Sequence, residues 1–120
     1  MLNNLILVGR LTREIQIYQT ANGRKLGTIC LAIPRSFKNV EGMYETDFIH
    51  CILWEEKAKL AADYCHKGDI VGVRGRLQSR VITTSEGKRH ILEVVAERLT
   101  FLSSTKPEMS QVVADEQVVI

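Results

Sequence analysis

Two apolar runs, NLILVGRL at residues 4–11 and KLGTICLAI at 25–33, are bounded by polar residues and separated by the turn signal ANGRK, a pattern that predicts two strands. The segment RSFKNVEGMY, 35–44, mixes Asn39, Gly42 and charges and predicts a hairpin loop. The next stretch, ETDFIHCILW at 45–54, reads as a third strand with Ile49, Cys51 and Leu53 on one face and Phe48, His50, Ile52 and Trp54 on the other. The first row suits a core, which leaves the large side chains of the second row to be explained. From Glu55 to Cys65 the period changes: EEKAKLAADYC is rich in helix formers, Ala58, Leu60, Ala61, Ala62, Tyr64 and Cys65 supply an apolar face, and the glycine of KGD at 67–69 ends it. IVGVRGRLQSRVI at 70–82 and HILEVVAERLTFL at 90–102, joined by the turn-like TTSEGKR, predict two further strands. Gly72 and Gly75 inside the first of these mark a bulge, a sharp bend or a close backbone approach.

Three strands, one helix between strands three and four, then two more strands make an all-β chain with the element order of the five-stranded Greek-key barrel called the OB-fold. The barrel domain is expected over residues 1–103, and 104–120, which show neither a clear apolar period nor glycine-rich composition, are expected to form a short mobile tail. A chain of 120 residues with 45% hydrophobic and 25% charged residues suits one globular domain with its own core. No apolar run approaches the length of a membrane span, and MLNNLILVGR lacks the basic segment and small-residue cleavage site of a signal peptide, so an intracellular, cytoplasmic protein is expected. Cys30, Cys51 and Cys65 are odd in number and widely spaced, which argues against a disulfide framework; they read as small buried apolar residues.

The formal charge of +2 hides an uneven distribution. In the stretch from Ser103 onward Lys106 faces Glu108, Asp115 and Glu116, a local −2, which leaves +4 on the rest of the chain. What matters for a polyanionic partner is whether the basic residues share a face. In the fourth strand, alternation puts Arg74, Arg76, Gln78 and Arg80 on one side and Val71, Val73, Leu77 and Val81 on the other, toward a barrel interior. Three guanidiniums in a row resist burial, and their spacing favours a ligand surface over a merely solvated exterior. Phe48 and Trp54 lie outside the barrel in the third strand, about 20 Å apart at a rise of roughly 3.3 Å per residue. Phe37 and Tyr44, with Arg35 and Lys38 beside them, extend this platform, and Lys88 and Arg89 in the turn before the last strand join the basic candidates. Aromatics interleaved with cations match single-stranded nucleic acid, whose bases stack while its phosphates meet the cations.

Other readings of these residues stand beside that one. Trp54, next to the helix start, serves either base contact or a core or subunit interface; Phe101 and Tyr64 read as packing residues, and Tyr18, near Arg24 and Lys25, as either. Asp47 and Glu45, on the row opposite Phe48, are expected to be satisfied by turn groups or arginines. His50–Cys51 and Cys65–His66 lack metal-ligand spacing, and no GxSxG, P-loop or HExxH pattern occurs, so no metal, cofactor or catalytic site is expected and the chain reads as a binder rather than an enzyme. Leu5, Leu7 and Ile52 are read as apolar side chains on exterior faces, which would favour self-association. An interaction subunit of a replication-restart complex and an RNA binder are the alternative functions.

NLILVGRLTRE, LAIPRSF, ETDFIHCILW, YCHKGDIVGVRGRLQSR and EVVAERLTFL, in that order over residues 1 to about 103, together resemble the bacterial single-stranded DNA-binding proteins. The resemblance implies an OB-fold subunit, usually a homotetramer, that coats single strands in replication, recombination and repair, with nucleoid association. It places the stacking aromatics on Phe37, Phe48 and Trp54 and basic contacts on Arg35, Lys67, Arg76 and Arg80. Three departures stand out. A fourth family aromatic is replaced by Ile82; Glu14-Ile15-Gln16 stands where Asp-Pro-Glu is usual; and the chain ends ADEQVVI, without the long linker and the acidic tip ending in proline and phenylalanine. Recruitment of repair and replication enzymes through the tail is therefore expected to be impaired or different, as in an accessory paralogue of DNA uptake or a phage or plasmid version.

Overall fold

A computed structural model describes residues 1–103; the expected tail, 104–120, lies outside the described residues. The strands are β1 (Leu5–Leu11), β2 (Gln16–Gln19), β3 (Lys25–Lys38), β4 (Tyr44–Trp54), β5 (Ile70–Thr84) and β6 (Gly87–Ser103), with one helix, α1 (Glu56–Tyr64), between β4 and β5. β1 pairs antiparallel with β5 through residues 5–10 and with β3 at Arg10 and Leu11. β3 pairs with β4 and β5 with β6, and a parallel pairing of Cys51 and Ile52 with Val94 and Val95 closes the ring. The result is the expected five-stranded barrel, β1-β5-β6-β4-β3. The short β2, which the sequence pattern did not predict, pairs with the edge of β3 at 25–28, beside the part of that edge taken by β1. Among the five barrel strands the helix still falls between the third and the fourth.

The barrel interior is filled by alternate residues of each barrel strand, among them the predicted Ile49, Cys51, Leu53, Val71 and Val73. Leu11, Ile29, Leu31, Cys51, Leu53, Val71, Val73, Leu99 and Phe101 are buried, and Leu5, Leu7 and Ile49 pack against them. The three cysteines are buried and unpaired, and burial pushes the Cys51 and Cys65 thiols up to about 12. α1 closes one end with Ala58, Ala61 and Cys65, the i, i+3, i+7 stripe of the predicted apolar face. It seats on β3 where Gly27 leaves room, since a Cβ there would lie 2.8 Å from that of Ala58. Gly75 has a similar role inside the barrel: a Cβ would lie 2.1 Å from the Val95 carbonyl oxygen, beside the register shift between Arg74 and Gly75 where β6 carries one extra residue. The expectation of a bulge or close approach is met at this glycine.

Several expectations need correcting. Leu5 and Leu7 turn inward, and the exposed row of β1 is Ile6 and Val8, at 71% and 52% exposure. Ile52, on the outward row, is 8% exposed, set at the floor of a depression whose walls include Leu26, Trp54, Gln78 and Arg80. Leu77 and Val81 were expected inside, yet both are exposed because the β5–β6 hairpin extends beyond the barrel, and its inward-parity face there has nothing to cover it. Leu60 and Tyr64 stand on the solvent side of α1 rather than packing. Half of the 35–44 loop is strand: β3 continues to Lys38, β4 begins at Tyr44, and the turn from Asn39 to Met43, with Gly42 at φ 78°, remains. Likewise β5 and β6 continue to a tight turn before Gly87 (φ 119°), which puts Lys88 and Arg89 on a strand.

Candidate nucleic-acid interface

β4, β5 and β6 present their outward rows on one surface. β4 contributes Phe48, His50, Ile52 and Trp54; β5 contributes Arg76, Gln78 and Arg80; and β6 contributes Glu93. Two depressions of about 250 Å³ each adjoin it, one at the barrel rim between Phe48 and His50 and the inward-parity Leu77 and Leu92, the other lined by Trp54, Ile52, Leu26, Gln78 and Arg80. Both share Glu93. Phe48 is 61% exposed with its ring open to solvent, as a stacking platform requires, while Trp54 is half-buried.

The basic row of β5 holds together as alternation predicted. Arg76 donates to the Gln78 amide oxygen at 3.1 Å, and Gln78 and Arg80 both donate to Glu93 Oε1, at 3.0 and 2.9 Å. Glu93 is only 10% exposed at its side chain, against 55% for Arg80. The carboxylate is thus fixed while the guanidinium keeps most of its surface for a ligand. Glu93 escaped the sequence reading because the β5–β6 register that brings it opposite Gln78 is not written locally. Arg13 was missed as well: it follows β1 and its Nη2 lies 3.4 Å from Nδ1 of His50, adding a cation to the middle of the β4 row.

Other predicted residues are placed differently. Arg35 is on the row opposite Phe48, where it donates to Asp47 at 2.9 Å and to Glu45 at 2.7 Å, satisfying that acid pair. The hydrogen bond from Arg35 holds the Asp47 carboxyl below its ordinary value, and Asp47 in turn raises the Arg35 guanidinium. Phe37, exposed, and Lys38, 5.6 Å over the Tyr44 ring, stand at the end of the β3–β4 hairpin. Lys88 and Arg89 stand at the end of the β5–β6 hairpin, opposite Thr83 and Ile82. Arg74 shares the parity of Arg76 but pairs with Ile6 of β1 and Arg98 of β6, nearer the other end of β5. Lys67 lies in the turn after α1, where its backbone N–H donates to Glu14 Oε2 at 2.8 Å, a bond that lowers the Glu14 carboxyl below its usual range. Tyr18 is exposed. A separate apolar cleft of about 340 Å³, lined by Val8, Gly9, Ala32, Pro34, Thr46 and Ile70, has Arg10 as its single cation.

A closed five-stranded barrel with exposed aromatics beside arginines defines an oligonucleotide-binding class of protein. The Single-strand binding protein family matches residues 2–102, and the chain belongs to that family. It is similar to single-stranded DNA-binding protein 1 of Lactococcus lactis, 39% identical over 112 residues that cover 92% of this chain and 75% of that protein. It is also similar to the single-stranded DNA-binding protein of Bacillus cereus, 45% identical over 85% of this chain and 61% of that one. Among solved structures, a deletion mutant of the single-stranded DNA binding protein from Thermus aquaticus superposes with a TM-score of 0.72 at 25% identity, over 87% of this chain and 52% of that one. No helix among the described residues is long and apolar enough to cross a membrane.

Proposed function

We propose that this protein binds single-stranded DNA with little sequence preference and without catalysis, stacking bases on Phe48, Trp54 and Phe37 while Arg76, Arg80 and Arg74 meet phosphates. The observation that carries this reading is the pair of depressions in which Phe48 and Trp54, of one strand row, each meet the shared Glu93, with Arg80 beside Trp54 and bonded to that carboxylate. Duplex DNA offers no exposed base faces to such a row, whereas a single strand offers both stacking and charge. Lys38, Lys88 and Arg89 extend the positive surface along the two hairpins. Arg35 takes part by leaving Asp47 and Glu45, and Lys67 by its side chain, since only its backbone N–H is engaged with Glu14. The protein acts in the cytoplasm, at the nucleoid, in replication, recombination, repair or DNA uptake. The exposed Ile6 and Val8 on β1 favour a homo-oligomer, with four copies as the resemblance implies.

Titration of Trp54 fluorescence with oligo-dT and with a duplex of equal length, at two salt concentrations, tests this. The expected result is quenching by the single strand alone, weakened by salt with a log–log slope of roughly −0.7 per phosphate contact. Phe48→Ala is expected to weaken binding by about 1–3 kcal/mol with the slope unchanged. Absence of binding at moderate salt would overturn the proposal in favour of a docking subunit, and tighter binding of oligo-U would redirect it to RNA.

A further inference from the structure

Trp54 does not offer a bare ring. The Arg24 guanidinium carbon lies 4.3 Å from the indole centroid, and its Nε donates to Glu55 Oε1 at 3.0 Å. The backbone beneath is fixed. Thr20 and Arg24 close the β2–β3 turn through a backbone bond of 2.8 Å, the Arg24 N–H also donates to the Thr20 hydroxyl at 3.2 Å, and the Glu55 N–H donates to the Lys25 carbonyl at 2.9 Å. Only the arginine side chain is left to move, and with half its surface exposed it has room to do so. Glu55 has φ 54° and ψ −124°, a backbone conformation that side-chain-bearing residues rarely adopt. That conformation places its carboxylate where it holds Arg24 against the ring.

We propose that Arg24 is a further DNA-binding residue, kept stacked on Trp54 in the free protein and displaced onto a phosphate when a base takes its place on the indole. This rests on the single-strand reading of the groove. The exchange is favourable in each part. A stacked base contributes more than an exposed cation–π contact, and the exposed Arg24–Glu55 pair is weak and screened by salt. A phosphate then offers the freed guanidinium a two-pronged acceptor in place of the carboxylate. Arg24 thereby keeps Trp54 covered until a strand arrives, and serves that strand afterward.

The experiment is the fluorescence titration with oligo-dT over a salt series, performed on the wild type, Arg24→Ala, Glu55→Gln and the double variant. Trp54 is the chain's one tryptophan, so its emission reports this site alone. Arg24→Ala is expected to lower the magnitude of the salt slope by about 0.7, one phosphate contact. Glu55→Gln is expected to tighten binding by up to about five-fold, the upper end for one exposed ion pair, and to have no further effect once Arg24 is absent. A wild-type slope in Arg24→Ala, or a Glu55→Gln effect that persists in the double variant, overturns the role of Arg24 while leaving the groove reading intact. A wild type that binds no oligo-dT overturns both. Arg24→Lys, which keeps the charge but lacks the planar fork, is expected to retain the slope and lose the cover, seen as stronger acrylamide quenching of the free protein.

Discussion

At the level of single residues, carboxylates decide what the arginines are free to do. Arg80 shares Glu93 with Gln78 and keeps an exposed guanidinium, whereas Arg35 is held on two sides by Asp47 and Glu45. The Arg35 hydrogen bond lowers the Asp47 pKa in the folded state, so the stabilisation from this clamp is fully present above the unfolded value. It is lost as pH falls through the lowered folded value. An NMR titration of the Asp47 carboxyl carbon should therefore give a midpoint below the ordinary value of about 3.9. Arg35→Ala should raise it, and a wild-type midpoint not below the ordinary value would mean that the clamp does not form in solution.

At the level of elements, two glycines set how closely the layers approach. Gly27 lets α1 settle on β3 through Ala58, and Gly75 lets β5 cross the Val95 carbonyl at the bulge. Because the atoms met at Gly75 are backbone, they cannot swing aside as a side chain would. Gly75→Ala is expected to cost about 3 kcal/mol, the upper end of overpacking penalties, with a matching fall in the urea midpoint. Gly72→Ala, where a Cβ would meet only ordinary contacts such as the Leu102 side chain at 3.6 Å, is the control expected to cost much less. Equal losses for the two would mean that the bulge relaxes around a new methyl group.

At the level of the whole molecule, the barrel is closed but its exterior is not uniformly polar. Ile6 and Val8 project from β1 on the side away from the core, while the aromatic and basic groove lies on β4, β5 and β6. Association through β1 would thus leave Phe48, Trp54, Arg76 and Arg80 open, with Arg74, the strand partner of Ile6, at the border. Ile6→Lys, together with Val8→Lys, is expected to reduce the oligomer measured by light scattering while oligo-dT still quenches Trp54. An unchanged mass would remove β1 from the interface.

The sequence alone determined the order of the five barrel strands and the helix, the inward direction of Ile49, Cys51, Leu53, Val71 and Val73, and the membership of Phe48, Trp54, Arg76 and Arg80 in outward rows. It could do so because side-chain direction follows a period of two in strands and 3.6 in a helix, and because turn glycines mark the ends. Alternation says which side of a strand a residue takes but not what lies over that side. Tertiary structure decided that Ile52 is covered, that Leu77 and Val81 run out past the barrel, and that Leu5 and Leu7 rather than Ile6 and Val8 face the core. It also decided the pairing of Arg35 with Asp47 and the meeting of Arg80 with Glu93 and of Arg24 with Trp54. Each of these depends on strand register, hairpin length or the parallel closure of β4 on β6. Those are properties of residues distant in the chain, set only when the barrel closes.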